Sequence, residues 1–135
     1  MSIPELPVKI KVKTTIDQQE TFELTVFGRY YKKEKASFLR YEEVMEEGSV
    51  RTLVKVGADE ALILRKGAVK MRLPFKLQQT VRGNYEMPFG LFETTTTTKR
   101  IEFKDNLIDI VYDFTMQGKP SGTYHLEISF QEETK

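Results

Sequence analysis

The one histidine is where chemistry would have to begin. His125 lies between Tyr124 and Leu126. If those two face a core, alternation turns His125 outward beside Thr123 and Glu127, as a solvated strand residue. A Ser-His-acid triad would need it, yet none of Ser2, Ser37, Ser49, Ser121 and Ser129 sits in a nucleophile-elbow sequence. A histidine-based metal site has no second histidine to use. Cysteine is absent, which removes thiolate nucleophiles, disulfides and Cys-ligated metals. Carboxylates are plentiful, at Glu42, Glu43, Glu46 and Glu47 and at Asp109 and Asp113. A facing pair can hydrolyse glycosides, but Asp109 and Asp113 share the phase opposite the apolar face of their strand, where water is expected. The glycines are scattered singly, with no Walker-A sequence and no Gly-rich strand-to-helix turn. This inventory predicts no catalytic residue, no metal ligand set and no cofactor, and therefore a protein that is not an enzyme.

Polar residues in an inward phase are more informative. If Asp105-Asn106 is a hairpin turn, Lys99 stands across from Tyr112 and Thr97 across from Phe114, on the face of Ile101 and Phe103. A buried amine costs several kcal/mol unless paired or hydrated. Three arrangements meet that cost: Lys99 snorkels at a mouth, a bulge in the Thr94 to Thr98 run flips the phase, or the interior is a cavity with polar handles. The expected ligand contacts are Tyr41, Arg65, Tyr85, Lys99 and Tyr112. Tyr30 and Tyr31 adjoin them, and the pairs Val26-Phe27 and Tyr30-Tyr31 suggest a strand covered on both faces, by the N-terminus, a bulge at Gly28 or a partner subunit.

The elements that must position these residues are strands. Val8, Ile10 and Val12 alternate with Lys9, Lys11 and Lys13, and Ile108, Ile110, Tyr112, Phe114 and Met116 share one phase. The pattern predicts strands at 7–16, 20–32, 36–45, 49–57, 61–66, 69–80, 91–103, 107–116 and 122–131, with no helix of useful length. Lys66-Gly67 as a turn faces Leu64 with Val69 and Leu62 with Met71; Asp105-Asn106 faces Phe103 with Ile108 and Ile101 with Ile110. A longer loop at 117–121 lets Phe114 face Tyr124, Tyr112 face Leu126 and Ile110 face Ile128. Closing such a meander removes its edges. Residues 1–135 are thus expected to form a single all-β domain, an antiparallel meander closed into a calycin- or lipocalin-like barrel of 8–10 strands. A two-sheet sandwich buries the same alternating set.

Charge limits the partners. The 135 residues carry a net charge of +1, too little for a chain living mainly on phosphate neutralisation. The balance is uneven: residues 1–80 hold 15 basic and 11 acidic side chains, residues 81–135 hold 6 and 9. Between Ala61 and Tyr85 lie Arg65, Lys66, Lys70, Arg72, Lys76 and Arg82 with no acid. Most aromatics fall in the core phase, so nucleic acid is not the expected partner. No stretch approaches the ~18 apolar residues of a membrane helix, and the start shows no signal-peptide pattern; the expectation is a cytoplasmic protein without a membrane partner, with a homodimer compatible.

The strings Phe27-Gly28-Arg29-Tyr30-Tyr31, Tyr41-Glu42-Glu43 and Val50-Arg51-Thr52-Leu53-Val54-Lys55-Val56 resemble the YwiB-like family of small bacterial proteins. The likeness continues through Arg65-Lys66-Gly67-Ala68-Val69-Lys70-Met71, Tyr85-Glu86-Met87-Pro88-Phe89-Gly90, Ile110-Val111-Tyr112 and Leu126-Glu127-Ile128. The resemblance implies a calycin-like β-barrel from a Firmicute-type bacterium, in a family of unknown function with no catalytic residues to carry over. The functional expectation is a non-enzymatic barrel for a small apolar or amphipathic ligand. The alternative is a protein or nucleic-acid interaction module using the basic 61–85 surface.

Overall fold

The computed structural model describes residues 4–133. Ten strands follow one another: β1 (Leu6–Ile16), β2 (Glu20–Lys33), β3 (Ala36–Met45), β4 (Gly48–Val56), β5 (Glu60–Gly67), β6 (Lys70–Lys76), β7 (Thr80–Met87), β8 (Gly90–Lys104), β9 (Leu107–Met116) and β10 (Lys119–Glu132). Each pairs antiparallel with the next, and β10 returns to β1, so the meander closes into a barrel. Closure sorts the period-two pattern into two surfaces. Val8, Ile10, Leu39, Val54, Phe75, Ile108, Ile110 and Ile128 point inward and are fully buried. Burial of each such side chain is worth about 1.5–3 kcal/mol. A ten-stranded ring is wider than one that aliphatic side chains fill easily, and aromatics take up the extra width. Tyr112 sits edge-on to Phe75 at 4.8 Å and stacks on Tyr124 at 5.4 Å. Tyr30 stacks on Phe130 at 4.7 Å.

The Asp105-Asn106 turn is as expected. Both residues have positive φ, 52° and 60°, as a type I′ hairpin requires, and Phe103 pairs with Ile108 and Ile101 with Ile110. The 117–121 closure is tighter than expected. Gln117 and Gly118 form a two-residue turn with positive φ, and an irregularity between Pro120 and Gly122 absorbs the extra residue. Tyr112 therefore pairs with Tyr124 and Ile110 with Leu126, two positions from the expected register, and every side chain keeps its face.

Three expectations are corrected. The bend does not fall at Lys66-Gly67: Arg65 pairs with Met71 and Leu64 with Arg72. Gly67 stays in β5 opposite Val50, at φ 124°, because the Ser49 carbonyl occupies the place a Cβ would take. The displacement is odd, so β5 turns over. Ala61, Ile63 and Arg65 face inward, and Leu62 and Leu64 lie half-buried on the outer wall. The expected strand 69–80 ends at Lys76 as β6, Gln78 follows at φ 63°, and β7 (Thr80–Met87) is a strand the pattern does not predict. Nor is Gly28 a bulge. It pairs regularly with Val8 and Tyr41, while Phe27 is exposed on the outer wall.

The ring is not uniformly laced. The β2–β3 ladder runs only from Gly28↔Tyr41 to Lys33↔Ala36. Residues 20–27 of β2 pair with β1 alone, and residues 42–45 of β3 with β4 alone. This seam parts toward the end that carries the 46–47 and 117–118 turns. The β6–β7 ladder is shorter still, from Lys70↔Glu86 to Arg72↔Asn84. Pro74 has no N–H to extend it, and its carbonyl instead accepts the Thr96 hydroxyl at 2.6 Å.

Gly28 is where β2 turns from one neighbour to two, and a Cβ there would collide with the Arg40 carbonyl oxygen. Gly28→Ala should therefore lower the unfolding free energy by about 3 kcal/mol, read from the midpoint of a urea titration; an unchanged midpoint would show that the seam can open to admit the methyl group.

Candidate functional site

Three of the five expected contacts share one cross-strand row. Tyr41 of β3 is the register partner of Thr52, Thr52 of Arg65, Arg65 of Met71, Met71 of Tyr85 and Tyr85 of Phe92. The row crosses the inner wall near the end where the β2–β3 seam parts. Arg65 is inward only because β5 is turned over. Its Nη2 donates to Glu43 Oε1 at 2.7 Å and lies 3.3 Å from Met45 Sδ, and both members of the ion pair are about four-fifths buried. Glu43 and Met45 follow Tyr41 in the inward phase of β3, beyond the end of the β2–β3 ladder.

Burial raises the Tyr41 phenol above its ordinary pKa, the Glu43 charge raises it further, and Arg65 opposes both. Thr52, its cross-strand partner, pulls weakly the other way through its hydroxyl. Thr52 is 2% exposed, and its hydroxyl has no hydrogen-bond partner among the described residues. An unpartnered buried hydroxyl costs about 1–3 kcal/mol. Arg65 has three further donors, on Nε and Nη1, that make no hydrogen bond among the described residues. Across the parted seam Phe22, Leu24 and Val26 continue the inward phase of β2, with Phe22 56% exposed and Leu24 and Val26 packed on the core. The rim is therefore apolar, and at its base lies a short row of hydrogen-bonding groups.

Tyr112 and Lys99 do not join this row. Tyr112 is enclosed by Phe75, Phe114 and Tyr124, and burial, with the neighbouring Tyr124, raises its pKa well above the phenol range. It fills the barrel rather than lining a space. Lys99 is not inward. The β8–β9 ladder shifts between Thr98 and Arg100, which puts Thr98 opposite Tyr112 and leaves Lys99 outside, 3.4 Å from Asp113. Of the three arrangements that spare a buried amine, the structure adopts the bulge. Thr94, Thr96 and Thr98 face inward in its place. Four surface clefts of about 200–650 Å³ lie on the outer wall and rims, and Tyr41, Arg65, Tyr85 and Tyr112 line none of them.

The outer wall of β8–β10 holds a group that sequence reading does not assemble. Glu102, Asp109 and Glu127 are direct cross-strand neighbours. Like charges in such positions repel, and the Arg100 guanidinium and the His125 ring lie against them. Arg100 Nη2 is 2.9 Å and His125 Nε2 3.0 Å from the same Asp109 oxygen, and His125 Nδ1 is 3.9 Å from Glu127. Asp109, His125 and Glu127 lie close enough to share a metal ion, but Arg100 already occupies the carboxylate that such an ion would need. The alternation that turns His125 outward is visible in the sequence; the register that sets it beside Asp109 is not.

Fold and site together define a closed antiparallel β-barrel of ten strands, filled by its own side chains, with a polar row at one parted end. The particular family follows from comparison. Residues 8–128 match DUF1934, described as a domain of unknown function, and the chain belongs to that family. It is similar to the uncharacterized beta-barrel protein YwiB of Bacillus subtilis (strain 168), 33% identical over 134 residues that cover 94% of each chain. The crystal structure of the ywiB protein from Bacillus subtilis matches with a TM-score of 0.83 at 31% identity, over 98% of this chain and 96% of that one.

The two buried phenols yield a pH prediction. Each holds its proton more tightly folded than unfolded, so their contribution to stability is complete below the ordinary phenol value near ~10 and is lost as pH rises above it. The difference between the denaturation midpoints of wild type and Tyr112→Phe should stay constant from pH 7 to 9, and the wild type should then lose stability relative to the variant up to pH 11. Midpoints that stay parallel to pH 11 would mean that Tyr112 ionises in place.

Proposed function

We propose that this protein is a cytoplasmic, non-enzymatic binding barrel that takes a small amphipathic ligand at its parted end. The observation that carries the reading is Thr52: of the three buried threonine hydroxyls without a hydrogen-bond partner among the described residues, with Thr94 and Thr98, it is the one set in register between Tyr41 and Arg65. The ligand's head group accepts hydrogen bonds from the Thr52 hydroxyl and from Arg65 Nε or Nη1. Its apolar part lies along Met71 and Phe92 of the row and the inward side chains of β2 across the parted seam. Few polar groups set into an apolar surface are what small-ligand sites generally use. The packed interior confines the ligand to the rim. It also argues against the deep chamber that a calycin-like binder would offer. The non-enzymatic part of the reading rests on the row's contacts: among the described residues the Glu43 carboxylate is hydrogen-bonded to Arg65 and not to a hydroxyl.

A fluorescent amphiphile, 8-anilinonaphthalene-1-sulfonate, and decanoate as its competitor test this. Wild type should bind one molecule and release it to decanoate. Thr52→Val, and the charge-neutral pair Arg65→Met with Glu43→Gln, should each weaken binding about tenfold, which is about 1.4 kcal/mol. Without ligand, Thr52→Val should raise stability by about 1 kcal/mol, because it removes an unpaired hydroxyl at nearly constant shape. Binding that both variants keep at wild-type strength, or no binding by the wild type, would overturn the reading.

A further inference from the structure

We propose that the outer wall of β1 to β4 binds single-stranded nucleic acid. Sequence reading sets that partner aside because most aromatics lie in the core phase, but three of them face outward on this wall. Phe27 of β2, 60% exposed, is the register partner of Lys9. Two residues along, Arg29 stands directly opposite Arg40. Two further along, Tyr31 pairs with Phe38, and Phe38 with Lys55. The Tyr31 and Phe38 rings are stacked at 4.8 Å, only 5° from parallel, with the Lys55 ammonium 5.9 Å from the Phe38 centroid. Basic and aromatic side chains thus alternate in successive rows about 6.8 Å apart, two residues of extended strand.

The facing arginines point to an anion. Like charges directly across a ladder destabilise it. Arg40 has Glu5 as a partner, whereas Arg29 makes no ion pair among the described residues. The acids on this wall are already matched in register, Glu23 to Lys13 and Glu42 to Arg51. The three-carboxylate row lies on β8–β10, away from these strands. A phosphate between Arg29 and Arg40 would relieve the repulsion, with Lys9 and Lys55 taking the phosphates to either side. Unpaired bases would stack on Phe27 and against the Tyr31–Phe38 pair, which a duplex cannot offer. The rings are set within the basic rows of a strand surface rather than at loop tips, which favours a nucleic-acid chain over an anionic bilayer.

The test is fluorescence anisotropy of the full chain with a fluorescein-labelled dT 15-mer and its oligo(U) counterpart, from 50 to 200 mM salt. Wild type should bind both, with affinity falling steeply as salt rises. Arg29→Glu should weaken binding at least tenfold and flatten the salt dependence. Phe27→Ala should weaken it roughly fivefold or more and leave the salt slope unchanged. Lys104→Glu, on the far wall, should do neither. Phe27 is exposed, so its variant keeps the fold, which circular dichroism verifies. The proposal is overturned if neither oligonucleotide binds at 50 mM salt. It is also overturned if duplex DNA or heparin binds as tightly and Phe27→Ala changes nothing, the mark of a generic polyanion contact. Binding only to phosphatidylserine vesicles would overturn it in favour of a membrane surface. The amphiphile assay does not involve these residues, so either reading can fail alone.

Discussion

The β1–β10 ladder, from Val8↔Glu132 to Ile16↔Tyr124, is the contact on which the molecule depends. Without it the chain is a long curved meander with two open edges, each a template for aggregation. With it, every strand acquires an inner and an outer face, and a side chain's parity decides which medium it meets. Its ladder joins the first strand to the last, so the chain must close its longest loop before this contact forms. The slack that closure demands is taken up unevenly. It is released at the upper β2–β3 seam and at the β6–β7 ladder beyond Arg72, where Gly28 and Gly83 admit a neighbouring carbonyl that any larger residue would strike.

Parity also explains what was legible in the sequence. Strands with a clean alternation, such as β1, β9 and β10, announce both their existence and their buried face. Asp105-Asn106 announces its turn because both residues tolerate positive φ. The run Ala61-Leu62-Ile63-Leu64 is apolar at every position, so alternation there has no phase, and the nearby glycine draws the bend to the wrong place. Strand β7 is hidden for the opposite reason: Gly83 occupies a buried inward position and leaves a gap in the apolar pattern. The threonine run is ambiguous in both senses, because threonine suits either face. The cost of burying Lys99 was readable; the bulge that removes the cost was readable only as one of three solutions.

The same reasoning limits what could be known of the site. Tyr41, Arg65 and Tyr85 stand out singly as polar groups near apolar strands, but their alignment depends on the registers of β3 through β7 together. One error of parity in β5 would leave Arg65 on the outer wall and Glu43 without a cation. Tyr112 shows the converse. A phenol in an inward position reads as a polar handle, and the surrounding rings of Phe75, Phe114 and Tyr124 make it part of the filling.

A closed barrel separates two kinds of constraint that a helical protein mixes on one surface. Side chains that hold the ring together and side chains that meet solvent alternate along the same strand, yet touch different neighbours. Arg29 or Phe27 can therefore change without disturbing Ile10 or Leu39, since no packed contact passes through the sheet between them. The near-zero net charge conceals unlike surfaces, basic on β1–β4 and over residues 61–85, with a row of three carboxylates across β8–β10. Such a molecule has little overall attraction for a polyanion and a strong local one, which favours an oriented encounter over an indiscriminate one. The polar row inside the parted end obeys a different rule. There each group is judged by whether it finds a partner, and Thr52 has none among the described residues beside the buried Tyr41 and Arg65.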